Sequence, residues 1–287
     1  MYKLIFAITL SILPWSILPQ DNQSNLDKTN EIEEFLISLD WKQSGTYRLP
    51  KSSSTLSLPA EYFALFGEDA NKYEEVIMGI PRNNIEAVVF VGDSLNTRVW
   101  FESYDSGYVH LDDWSKVDPE KLLEVISQAT EKNNEKLKSQ GIEEMHVIGW
   151  IQPPTLDRNS NTIYWAFEAR EGEEEVVNSV AIRLGRKGYE KLVWITYKAM
   201  YIPFGGELDI MLRAHSFDPG FRYKDYTTGD QVANYGIATL VAATLGGKIA
   251  KAGGLSIFFK KISAFIFAAI AALYYKFKNL FKGKNDE

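Results

Sequence analysis

Cysteine is absent from this chain of 287 residues. That excludes disulfides, thiolate zinc sites, cysteine nucleophiles and amino-terminal lipoprotein anchoring. Histidine is scarce, with three copies at His110, His146 and His215. Apolar runs of full bilayer length are missing too, since a spanning helix uses about 20 consecutive apolar residues. Positive charge is in deficit overall, at a net −7, but the deficit is uneven. From Gly247 to the end eight lysines face two acids, giving +6, whereas the preceding 246 residues carry −13. An acidic body offers phosphates no basic surface, which argues against nucleic acid as a partner. A basic tail set among apolar residues points to a membrane. What the chain does have is 45% hydrophobic and 13% aromatic residues, enough for a packed core at this length.

Both ends speak to membranes. The start, "MYKLIFAITLSILPWSILPQ", places Lys3 before ten uncharged residues from Leu4 to Leu13, with polar sequence from Gln20. That layout predicts a secretory signal over 1–20, although no Ala-x-Ala precedes Gln20 and Pro14 and Trp15 interrupt it. An uncleaved anchor and a buried amino-terminal segment are the alternatives. At the other end, Ile262 to Tyr275 is 14 residues without a charge, about 21 Å of helix against a hydrocarbon core of about 30 Å. Lys260, Lys261, Lys276 and Lys278 can stretch their ammonium groups to the headgroups, and Tyr274 and Tyr275 suit the same interface. The pattern predicts one transmembrane helix over 260–281 and a short basic tail over 282–287, with the bilayer as partner. An interfacial helix or a soluble core helix are the bland readings. Lysines flank the span almost evenly, so the signal decides topology: body extracytoplasmic (periplasmic), carboxy terminus cytoplasmic. Between body and span, 231–259 is rich in Ala and Gly. It serves either self-association with another membrane protein or copy, or packing on the body.

The body reads as α+β. A polar linker and short helix occupy 21–44, with Ile32, Phe35, Leu36 and Leu39 on one face, and the folded domain is expected over 45–230. "TYRLPKSSSTLSLP" reads as a hairpin, "EDANKYEEVIMG" as a short helix, and "IEAVVFV" and "TRVWFESY" as strands. The longest helix begins at Asp118, with Asp118 as N-cap and Pro119 in the first turn, and its stripe runs Leu122, Ile126, Ala129, Asn133, Leu137. "MHVIGWI", "TIYWAFEAR", "EVVNSVAIRLG" and "EKLVWITYKA" follow as strands. In the link "GRKG", Gly185 and Gly188 are available for positive φ. "ELDIMLRAH" closes the body as a helix. The sum is a mainly antiparallel sheet packed with one long and a few short helices.

Three places tempt a chemical reading. In "VVFVGDSLN", Ser94 imitates the nucleophile of a Gly-Asp-Ser-Leu esterase. That enzyme needs its serine on a strand-to-helix turn and an Asp-x-x-His base. Here Ser94 leads into another strand, and Gly107, Glu143 and Leu212 stand three before the histidines, so the reading is a turn. His110, Asp112 and Asp113 in "YDSGYVHLDDW", and His215, Asp218 and Asp225 in "HSFDPGFRYKDY", are the two sets that a hydrolase or metal-dependent enzyme would use. Arg183, Arg186 and Lys187 are a candidate anion contact, and His146 reads as structural. No cofactor motif is present.

The segments "SGYVHLDDW", "VDPEKLLEVISQATEKNN", "GWIQPPTLD", "TIYWAFEAR", "NSVAIRLGRKGY" and "GFRYKDYTTGDQVANYG", with the basic apolar tail, resemble a bacterial family of membrane-anchored proteins classified as a domain of unknown function, the DUF2167 family. The resemblance runs from about Gly45 into the tail. Its most specific pieces are Leu184 to Gly188, Gly149 to Pro154 and Arg222 to Asp225. It implies a membrane anchor and no assigned catalytic residues. The order of strands and helices also resembles the Mog1/PsbP type of sheet, an analogy of fold alone. The expectation is a membrane-anchored, extracytoplasmic, non-enzymatic binding or scaffold domain. The alternatives are an extracytoplasmic hydrolase or metal-dependent enzyme, and a subunit of a membrane complex.

Overall fold

The computed structural model describes residues 34–78, 83–91, 94–139, 144–202 and 206–245. The signal and transmembrane segments expected at 1–20 and 260–281 lie outside these residues, as do all six membrane-interface residues named above. Among the described residues no helix is long and apolar enough to cross a membrane.

Among the described residues the chain builds ten strands and five α-helices. The turn at 34–38, α1, tucks Leu36 under the body and leaves Ile37 in solvent. Strands β1 (Gly45–Leu49) and β2 (Ser54–Leu58) form the expected hairpin, and β10 (His215–Phe217) adds to β2, giving a three-stranded sheet. The main sheet has seven strands in the order β3-β4-β5-β9-β8-β7-β6, every neighbour antiparallel. Its members are β3 (Tyr62–Phe66), β4 (Ile85–Val91), β5 (Ser94–Tyr104), β6 (Met145–Asp157), β7 (Thr162–Glu171), β8 (Glu174–Leu184) and β9 (Tyr189–Tyr197). The helices are α2 (Gly67–Met78), α3 (Pro119–Ser139), α4 (Glu207–Ala214) and α5 (Ile237–Thr244). The α+β, mainly antiparallel architecture is therefore the observed one.

Both faces of the sheet are covered. On one face Val88, Phe90, Trp100, Trp165 and Val193 meet α1, α2, α3 and α5; on the other Ala87, Val89, Val99, Phe101 and Leu192 meet the small sheet and α4. This explains the nearly unbroken apolar run of β4: a strand buried on both sides has no solvent-facing residues to alternate with. Asp118 caps α3 by accepting the Lys121 amide at 3.2 Å.

Three sequence expectations change. The buried stripe of α3 runs Leu122, Ile126, Thr130 and Asn134, with Ala129 only half-buried, while the expected Asn133 and Leu137 lie outside the described side chains. Asn134 is the reason: its amide donates to the Met145 carbonyl at 2.7 Å and accepts the Met145 amide at 2.9 Å, tying the helix to β6. The β6 strand continues through Pro153 and Pro154. As the sheet's last strand it has a free edge for prolines, and its three register shifts absorb the misfit. Finally, the packed body does not stop at Asp230. Ile237, Leu240, Val241 and Leu245 of the supposed juxtamembrane segment belong to the main core, with Ala242 packed beside them.

Candidate functional site

The two histidine–carboxylate sets do not assemble. His110 is half exposed, and its Nδ1 stands 3.9 Å from Asp112, whose carboxylate is almost wholly in solvent. Asp113 turns away to the start of α5, where its carboxylate accepts the Ala238 amide at 3.3 Å and fills the space over Gly236. It serves as the cap of a helix.

The second set is spread further. His215 is buried and shares a 2.8 Å hydrogen bond between Nε2 and Ser54 Oγ. Desolvation, reinforced by the Arg183 guanidinium, lowers its pKa to about 3. Asp218 accepts from Thr55 Oγ1 at 2.8 Å and Arg48 Nη2 at 3.0 Å. Asp225 accepts the amides of Gly220 and Arg222, closing its own turn. These groups hold loops in place. No cluster of three or more His, Asp or Glu with metal-holding geometry exists among the described residues.

Two of the three members of the proposed basic patch resolve into structure, and the third, Lys187, lines a cleft. Arg183 donates to the carbonyls of Leu212 and His215, and Arg186 grips Asp230 through Nε and Nη2 at 2.7 Å each. That fork keeps the Asp230 carboxyl well below its usual range. His146, as expected, is structural, paired with Glu131 of α3 at 2.8 Å. Ser94 opens β5 and pairs with Val91, so the chain runs strand to strand as the sequence indicated.

What these contacts enclose is a cleft of about 200 Å³ at one end of the molecule. The β1–β2 turn contributes Lys51, Ser52 and Ser53; the end of β5 contributes Ser103, Tyr104 and Asp105. The β8–β9 turn supplies Gly185, Lys187 and Gly188, the end of β10 supplies Phe217, and the loop after it supplies Phe221. Its walls are firmly placed. The Arg186 amide bonds the Phe221 carbonyl at 2.8 Å, Gly107 bonds the Lys187 carbonyl at 2.9 Å, and Gly185 bridges to Arg222.

Neither Gly185 nor Gly188 takes the positive φ anticipated from the sequence. They are needed for close approach: a Cβ on Gly185 would sit 2.9 Å from the Phe217 ring, and one on Gly188 would overlap the Tyr104 carbonyl oxygen. Gly188→Ala is therefore expected to lower unfolding free energy by about 1–3 kcal/mol, as overpacking does. Urea midpoints of the two proteins check this, and equal midpoints would count against the close packing.

Beneath the cleft lies a buried acid pair that sequence reading passed over. Glu190 has no exposed surface, its cross-strand partner on β5 is Ser103, and Ser52 and Glu86 are the polar side chains beside its carboxyl. Burial, then the neighbouring Glu86, hold its carboxyl well above the usual range and so favour the protonated form. Glu86 instead accepts the amides of Lys51 and Ser52 at 2.5 and 3.0 Å, fixing the lip of the cleft from below.

The class defined by this geometry is an antiparallel α+β domain with a walled cleft at one sheet end and no assembled catalytic constellation among its described residues. The chain belongs to the family described as protein of unknown function (DUF2167), whose profile matches residues 41–273. No curated protein matches it. Among solved structures, the solution structure of cyanobacterial PsbP from Synechocystis sp. PCC 6803 is similar at 11% identity and a TM-score of 0.36, over 61% of this chain and 92% of that one.

Proposed function

We propose that the protein is a membrane-tethered, extracytoplasmic binding domain without enzymatic activity, and that the cleft beside the β8–β9 turn is where it binds. The observation that carries this reading is the placement of the walls. Arg186, Asp230, Glu86 and the two glycines are spent on holding a concavity open, while Asp113, His215, Asp218 and Asp225 serve as a cap and loop ties and His110 and Asp112 lie toward solvent. The tether is supported by the uncharged run from Ile262 to Tyr275 between lysine pairs.

The tether is tested by expressing the full chain in a Gram-negative host. The expected result is retention in membranes through an alkaline carbonate wash, with protease added to spheroplasts digesting the body. Release of intact protein by the wash, or protection of the body in spheroplasts, overturns the placement.

A further inference from the structure

We infer that the cleft takes a small organic anion, a carboxylate or phosphate ester with a short apolar or ring-shaped body, held between the ammonium groups of Lys51 and Lys187. This rests on the reading of the cleft as the binding site and goes further by naming the chemistry of its occupant.

The two lysines come from opposite walls, the β1–β2 turn and the β8–β9 turn. Neither meets a carboxylate at ion-pair distance among the described residues. Lys51 Nζ donates to the Asn83 carbonyl at 2.5 Å, and Lys187 Nζ stands 5.1 Å over the Phe221 ring. An ammonium carries three donors, so each retains capacity for an anion after these contacts. Lys42, Lys72, Lys121, Lys191 and Lys198 all have carboxylate partners, whereas Lys51 and Lys187 line one cavity without one.

Hydroxyls complete the polar lining. Ser53 and Ser103 are half-buried at the cleft, and among the described residues no protein group bonds to either side-chain oxygen. They are donors for a charged oxygen that the lysines bring in. The single lining carboxylate, Asp105, is exposed at the mouth. Burial raises the Glu190 carboxyl and so weighs against a negative charge beneath the floor. Phe217 and Phe221 supply an apolar wall. At about 200 Å³ the space is smaller than the roughly 300–1,000 Å³ of pockets for drug-sized ligands, which limits the occupant to a single ring or a short chain.

The test titrates the full-length protein in neutral detergent with benzoate, phenyl phosphate, inorganic phosphate and the uncharged benzyl alcohol, followed by calorimetry at low salt. Saturable one-to-one binding of benzoate or phenyl phosphate, stronger than that of benzyl alcohol, is expected. The doubly substituted Lys51→Gln, Lys187→Gln protein should bind at least about tenfold more weakly, and Lys224→Gln should bind like the wild type. Tighter binding of the carboxylate or of the phosphate ester then says which anion the cleft prefers, with inorganic phosphate separating the headgroup from the ring. All three lysines are exposed, so unchanged thermal midpoints will show that folding is intact. Equal binding of benzyl alcohol and benzoate, or unaltered binding by the double variant, overturns the anion assignment. Ser103→Trp, which fills the cleft, separates the two levels. If benzyl alcohol binds the wild type as tightly as benzoate and Ser103→Trp abolishes both, the cleft stands as a site and the anion is wrong; if bound anion survives it, the cleft itself is not the site. Absence of saturable binding for every probe overturns the anion assignment.

Discussion

Lys191→Met is expected to lower the unfolding free energy by about 3–5 kcal/mol, the usual cost of stranding one member of a buried ion pair. Lys191 and Glu102 face each other across β9 and β5, with Nζ and Oε2 2.7 Å apart and side chains only 4% and 7% exposed. The Tyr104 hydroxyl donates to the same carboxylate oxygen at 2.5 Å, Asn84 Nδ2 donates at 3.2 Å, and the ammonium lies 5.6 Å over the Tyr104 ring. This arrangement satisfies both charges, which is what lets them sit at the centre of a seven-stranded sheet. Methionine keeps most of the lysine's volume, so packing changes little and the loss reads out electrostatics. Adding Glu102→Gln to Lys191→Met removes the stranded charge and should recover much of the stability. Urea denaturation at pH 7 of the wild type, the single and the double variant measures this. A single variant within about 1 kcal/mol of the wild type would mean the pair contributes no more than a surface ion pair.

That pair also shows where the sequence stops being readable. Strand identities came through because their chemistry is local: "IEAVVFV" and "TIYWAFEAR" are β-branched and aromatic, and "GRKG" links two such runs. The adjacency of β5 and β9 is not local. It joins residues almost ninety positions apart through a chain reversal carrying α3, β6, β7 and β8, and nothing in either segment names its partner. Glu190 and Lys191 therefore read as the polar start of a strand, although both are buried. The helix α5 failed differently. Ile237 to Thr244 is apolar all round, a composition shared by helices sunk in a core and helices beside a membrane. Sequence can register that such a segment avoids water; which apolar surroundings it enters depends on tertiary packing.

The candidate site was less legible than the fold for a related reason. Attention went to His110, His215 and their neighbouring aspartates because those side chains carry chemistry wherever they occur. The structure uses Asp113, His215, Asp218 and Asp225 as a cap and ties and leaves His110 and Asp112 toward solvent. The cleft draws on serines, lysines, glycines and phenylalanines from four separate segments, of which only the turn holding Gly185, Lys187 and Gly188 stood out in the sequence. One signal was within reach: Leu184 to Gly188 and Arg222 to Asp225, singled out as the most specific stretches, meet at the Gly185–Arg222 bridge. Two such stretches sharing a wall mark the end of the sheet that matters.

His215 gives the other large effect, and its sign runs with acid. In the folded protein the imidazole is fully buried between the rings of Phe101 and Phe217, its Nε2 engaged by Ser54 Oγ and its Nδ1 without a partner. Burial disfavours the imidazolium, and the Arg183 guanidinium adds repulsion, so the folded pKa falls from 6.5 to about 3. The unfolded chain takes up this proton near pH 6.5 while the folded one refuses it until about pH 3. Stability is thus complete above the unfolded pKa and drains away as pH falls toward the folded one. At one proton, the slope is about 1.4 kcal/mol per pH unit, which amounts to about 2.5 kcal/mol between pH 7 and 4.5 and about 4 kcal/mol by pH 3. Carboxylates such as Asp230 lose their own contributions over part of the same range, so the measurement is a difference between two proteins. His215→Gln can keep the bond to Ser54 and has nothing to titrate. Urea unfolding curves collected from pH 7 down to pH 3.5 should show the wild type losing stability faster than the variant by about that slope. Parallel pH dependence in the two proteins would mean that the imidazole accepts its proton inside the fold, and that the space around it is not the dry, cation-bordered site described here.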